Sequence, residues 1–183
     1  MTLQPGLDGG AGGPDSAGGR DRDAGGRARN ARPRDSLGRP LSRSAAGQVP
    51  IADDLALPPA QALAAAQELL DTGRPFHAHE VLEAAWKAAP TAERDLWQGL
   101  AQVAVGLTHA LRGNARGAVA LLRRGADRLD GYRAPGPHDI DIDGVQQTCR
   151  ALADRFEATG LAGLDTSILR IRLRAEQSSS SAG

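Results

Sequence analysis

From Leu96 to Leu111 the chain runs sixteen residues, LWQGLAQVAVGLTHAL, without a charged side chain. As a helix this stretch is about 24 Å long, short of the roughly 30 Å hydrocarbon core of a bilayer. It also carries Gln98, Gln102 and His109. The pattern predicts a helix buried in protein rather than in lipid. Projected at 100° per residue, Leu96, Leu100, Val103, Leu107 and Leu111 share one face. Gln98, Gln102 and His109 fall on the opposite stripe, within about 60° of one another. With no charge to keep either side in water, both faces must meet other segments of the chain.

Those segments also read as helices. A first helix runs from Pro59 to about Asp71, with Leu63, Ala66, Leu69 and Leu70 at helical spacing and Gly73 past its end. Proline at the start and glycine after the end are the usual helix punctuation. The second runs from Pro75 to about Ala88 and is closed by Pro90. The third opens near Thr91 or Arg94 and ends at Arg112. The fourth covers Ala115 to about Asp130, and GYRAPGPHD then reads as a loop. The fifth is capped by Asp141 or Asp143 and stopped by Gly160. SILRIRLR alternates like a short strand but has no evident pairing partner, so it is expected to be extended or weakly helical. Gly73, Ala78, Val81 and Leu82 recur forty residues later as Gly113, Ala118, Leu121 and Leu122. The expected fold is therefore an all-α bundle of about five helices, built from two stacked helical hairpins.

Composition changes sharply outside the helices. Residues 1–52 are rich in Gly, Pro, Ser, Arg and Asp, with eight arginines and five aspartates. Such a segment has too little apolar surface to offset its ordering entropy and is expected to be a disordered arm. Residues 53–175 form the helical domain, and 176–183 read as a disordered tail. Formal net charge over the whole chain is zero, which gives no strong nucleic-acid signal. One cysteine, Cys149, excludes an internal disulfide and is expected to be a small buried hydrophobe. The first thirty residues hold no apolar core of a secretory signal. Together these features point to a cytoplasmic protein with no membrane span. The sequence names no cofactor and no partner, leaves room for a homo-oligomer, and does not decide whether the protein is an enzyme.

The chemistry-bearing stretch is RPFHAHEVLEAAW. His79 and Glu83 sit four apart and Trp86 three further on, along one helical stripe. The short turn to the third helix brings that stripe toward Gln98, Gln102 and His109. Buried polar side chains need partners, so His79, Glu83, Trp86, Gln98, Gln102 and His109 are expected to form one cluster. His77 and Glu80 fall off the stripe and are expected in solvent. Three chemistries fit the cluster: a structural hydrogen-bond network, a small-ligand or partner-binding or acid/base pocket, or an open three-ligand metal site of His79, Glu83 and His109 for a metal-dependent enzyme. In the forty-residue repeat, Val119 and Arg123 stand where His79 and Glu83 stand. A purely structural interaction scaffold would not require the pair.

Several motifs occur in order: His79, Glu80, Glu83 and Trp86; then Gln98, Gly99, Leu100 and Gln102; then His109 with the turn Gly113–Asn114; then Gly117 and Ala118. Over about residues 60–130 this resembles a bacterial family, domain of unknown function 309. The resemblance implies a small all-helical fold and no established activity. GRARNARPRDSLGRPL likewise resembles extensions on actinobacterial members. Its Arg32, Arg34 and Arg39 could pair with carboxylates of the helical domain, with Glu80 the preferred partner.

Overall fold

A computed structural model describes residues 35, 39, 57–132 and 136–174. The expectations for the arm and the tail otherwise fall outside these residues. Five α-helices form: α1 (Pro59–Asp71), α2 (Pro75–Ala88), α3 (Arg94–Leu111), α4 (Ala115–Arg128) and α5 (Ile142–Thr159). Short 3-10 turns precede α3 at Thr91–Glu93 and follow α4 at Leu129–Gly131. No described helix is long and apolar enough to cross a membrane. Each helix packs against the next, α1 on α2 through to α4 on α5. The all-α hairpin architecture read from the sequence is the one observed.

α3 is the centre. Leu96, Leu100, Val103 and Leu107 are fully buried, as the projection required. So are Trp97, Ala101, Ala104 and Ala110 on its flanks. It can be enclosed this completely because small residues let α4 approach. A Cβ on Gly125 would lie 2.8 Å from Val103 Cγ2 and 2.9 Å from the Gly99 carbonyl oxygen. A side chain there would force the helices apart, so the α3–α4 contact is built on the absence of side chains.

The two hairpin turns are alike in backbone. Gly73 and Gly113 sit at φ of 71° and 76°, the left-handed region where glycine avoids a Cβ clash. α5 is capped by Asp141, whose Oδ1 accepts from the Gly144 amide at 3.0 Å. Cys149 is buried, and burial pushes its thiol up to about 12, so it is an inert core residue.

SILRIRLR departs from expectation in one respect, because it does find partners. Thr166–Leu169 form a 3-10 turn. The chain is extended beyond it, with Ile171 and Leu173 buried and Arg170 and Arg172 exposed. Arg174 bridges antiparallel to Ile140. The amide of Gln67 on α1 supplies the rest. Its Nε2 donates to the Ile171 carbonyl at 3.1 Å and its Oε1 accepts from the Leu173 amide at 2.7 Å. A side chain here does the work of a neighbouring strand, which is why no second strand was visible in the sequence.

Candidate functional site

α2 begins at Pro75 and carries His79 and Glu83 one turn apart. His79 Nε2 lies 3.3 Å from Glu83 Oε2, and Glu83 Oε1 lies 3.2 Å from Lys87 Nζ. The ring is mostly buried against α3. Desolvation pushes its pKa below the ordinary histidine value, against opposing pulls from Glu83 and the Ala101 carbonyl of α3. The ring is therefore neutral near pH 7. A carboxylate only accepts, so Glu83 favours the tautomer with the proton on Nε2. Nδ1 is then a lone-pair acceptor, and it is buried with no hydrogen-bond partner. Across on α3, Gln102 Oε1 is also buried without a partner. Gln98 and Trp86 are half-buried, and Trp86 packs on the core.

His109 does not join them. Its Nδ1 lies 2.8 Å from Asn114 Nδ2, whose amide donates to it. Asn114 Oδ1 in turn accepts from the Gly117 amide at 2.9 Å and caps α4. A Cβ on Gly117 would collide with both side chains. The His–Gly–Asn–Gly motif is thus a lock on the α3–α4 turn. The three-ligand set of His79, Glu83 and His109 gains no support here, since His109 Nδ1 is taken by Asn114. Among the described residues, no three His, Cys, Asp or Glu side chains converge to hold a metal.

Two other expectations need correction. His77 is buried at 4% exposure rather than solvated. Burial and Arg74 lower its pKa, while the Asp35 carboxylate of the arm pulls upward. Glu80 is half-buried. Both turn inward because α2 packs α1 on one side and α3 on the other, which widens its buried arc beyond one stripe. Arg39, expected to seek Glu80, grips Asp35 instead, Nε to Oδ2 at 2.7 Å. Arg32 and Arg34 lie outside the described residues.

A second polar cluster was not anticipated. Glu93 Oε2 accepts from Trp97 Nε1 at 3.2 Å and lies 2.8 Å from His138 Nε2. The Trp97 and His138 rings are 5.8 Å apart. The His138 hydrogen bond, above all, holds the Glu93 carboxyl below the usual range. His138 and Asp139 both adopt φ near 60°, an uncommon state for residues with a Cβ. Glu93 and Trp97 at i, i+4 were the available signal. His138 sits in a Pro/Gly loop whose path no periodicity reports. A cavity of about 300 Å³ lies elsewhere, under the α1–α2 turn. None of His79, Glu83, Trp86, Gln98 and Gln102 lines it.

Residues 63–121 match the model of the family described as Domain of unknown function (DUF309). The match runs from inside α1 to inside α4 and includes His79, Glu83, Gln102 and the His109–Asn114 lock. It bears out the resemblance drawn from the motifs. No curated protein and no solved structure matches the chain.

Proposed function

We propose that this protein is a binding domain, and that the α2–α3 face around His79, Glu83 and Gln102 recognises a hydrogen-bond donor on a small ligand or partner. One observation carries the reading: two acceptors, His79 Nδ1 and Gln102 Oε1, stand buried and unsatisfied on facing helices. Leaving such a group unpaired costs about 1–3 kcal/mol. Two such costs on α2 and α3, in a domain that satisfies its turn at His109 and Asn114 so fully, favour a site completed by something else. In a purely structural network each of these acceptors would meet a donor within the protein. Trp86 supplies an apolar wall and Gln98 a further polar contact at the same face. The single buried thiol and the neutral charge balance support a cytoplasmic setting.

Amide and hydroxyl probes test this. In nitrogen-15 NMR, acetamide and ethanol should shift resonances of α2 and α3 near residues 79, 83 and 102. Acetone, which cannot donate, should not. The variant His79→Phe/Gln102→Leu should abolish the response. If no donor shifts these resonances and the apolar double variant is simply more stable, the two atoms are a structural cost and the reading is wrong.

A further inference from the structure

α2 starts without a cap of its own. Its N-cap residue is Arg74, whose side chain makes no capping hydrogen bond. A guanidinium only donates, so it cannot serve an N-terminus, where the groups in need are amides. A helix N-terminus carries roughly half a positive charge, and Arg74 adds a full one beside it. This end of α2 therefore lacks an anion, whereas α4 and α5 have side-chain oxygens from Asn114 and Asp141.

A second observation points to the same turn. His77 is the third residue of α2, a position whose side chain leans back over the helix start. It is 4% exposed, and its Nδ1 is buried with no hydrogen-bond partner. The turn thus holds a polar atom that nothing in the helical domain serves.

The chain itself carries a matching group. Asp35 and Arg39 of the arm belong to one compact unit with the helices. The Asp35 side chain is mostly covered, at 23% exposure. Arg39 holds its carboxylate in a turn: the Arg39 amide donates to Oδ1 at 2.8 Å and Nε to Oδ2 at 2.7 Å. The Arg39 carbonyl accepts from the Asp35 amide at 3.0 Å. A carboxylate has roughly four acceptor positions, so about two stay available for a receptor. Its charge also acts on the first turn of α2, since Asp35 raises the proton affinity of His77 while Arg74 lowers it. The link Ser36–Ala56 has a contour of up to roughly 70 Å, which is ample reach. Linkage within one chain gives an effective concentration on the order of millimolar, enough to populate a contact too weak for separate molecules.

We infer that the first turn of α2 is a docking site for this chain's own N-terminal arm, with the Asp35 carboxylate, shaped by Arg39, held against the positive helix end at Arg74 and His77. The site does not rest on the reading of His79 and Gln102.

Paramagnetic labelling of the full-length protein tests it. Ser36→Cys puts a nitroxide next to Asp35, and the buried, inert thiol of Cys149 leaves it the one labelled position. NMR should then show broadened amides at Arg74, Phe76, His77 and Ala78. Asp35→Asn in the labelled chain should weaken docking by roughly two- to fivefold, the size of one charge contact near the surface. Asp35→Arg should remove the broadening, and Asp21→Asn, also in the arm, should leave it unchanged. Circular dichroism ties each readout to a folded helical domain. No broadening at these four amides would overturn the proposal. So would broadening that survives Asp35→Arg, or that falls as far with Asp21→Asn as with Asp35→Asn.

Discussion

The two hairpins are built on one plan and finished differently. Gly73 and Gly113 make the same left-handed turn, Ala78 and Ala118 are both fully buried, and so are Leu82 and Leu122. Position for position, each second helix faces the helix that follows it. On α4, Arg123 reaches across to α5 and pairs with Asp154 at 2.9 Å and Glu157 at 2.7 Å. On α2, the equivalent Glu83 turns back along its own helix to His79 and Lys87. Gln102, on the helix across, is left with an unpaired buried oxygen. The turns differ in the same sense. Asn114 caps α4 with its side chain, whereas α2 begins with no side-chain cap. The second hairpin thus ties its polar residue to the next helix, whereas the first pairs Glu83 within α2 and leaves His79 Nδ1 and Gln102 Oε1 buried without a partner.

If the shared plan is real, the two cores should respond alike. Leu82→Ala and Leu122→Ala each remove a fully buried leucine at matched positions. Each should lose roughly 2–5 kcal/mol of stability. Chemical denaturation of both variants measures it. A loss at Leu82 below half that at Leu122 would break the symmetry and show a first hairpin that relaxes around a cavity.

Most of this plan was legible in the sequence because it is written in periodicity. Helix bounds follow Pro59, Gly73, Pro90, Gly113 and Gly160, each of which acts locally. The inward face of α3 follows from five apolar residues at helical spacing. Side-chain destinations were less legible, for an equally physical reason. His109 lies on the predicted stripe, but a hydrogen bond is decided by what stands within about 3 Å, and Asn114, five residues on, stands at 2.8 Å. His77 read as exposed because one stripe was assigned to burial, whereas α2 packs two neighbours. Gln67 and His138 form their contacts across long sequence separations, to Ile171, Leu173 and Glu93. No local pattern encodes such a pairing.

A smaller effect separates the two turns. Asn114→Ala removes both the cap on α4 and the donor to His109. It should cost roughly 0.5–2 kcal/mol. Asn114→Asp keeps an oxygen for the Gly117 amide and loses only the donor, so it should cost less than alanine. Thermal melts of the two variants rank them. Equal losses would mean that the His109 contact, and not the cap, holds the turn.

The gentlest probe of the comparison is acid. His77 and His79 both lie in the first hairpin, and burial lowers the pKa of each from the ordinary 6.5. An unfolded chain would protonate these rings near that value, while the folded chain resists. Between the folded value and 6.5 the unfolded state binds more protons, so stability rises with pH there. Acidification from about pH 7.5 to about 5.5 should accordingly lower the melting temperature, before carboxylates contribute. Glu93 acts later and with a different origin. Its pKa is depressed below 4.5 by His138, so the stability it adds is present above that value and is lost as pH falls through the lower folded one. Removing the histidines should therefore flatten only the upper window. His77→Phe and His79→Phe should each reduce the drop between pH 7.5 and 5.5, and leave the fall below about pH 4.5 in place. The rings differ in one respect that the variants can resolve. His79 has Glu83 at 3.3 Å to stabilise its charged form, so Glu83→Gln should steepen the upper window and leave the His79→Phe profile unchanged. A wild-type melting temperature that stays flat from pH 7.5 to 5.5 would show that neither ring is held neutral. The first hairpin would then be as settled electrostatically as the second.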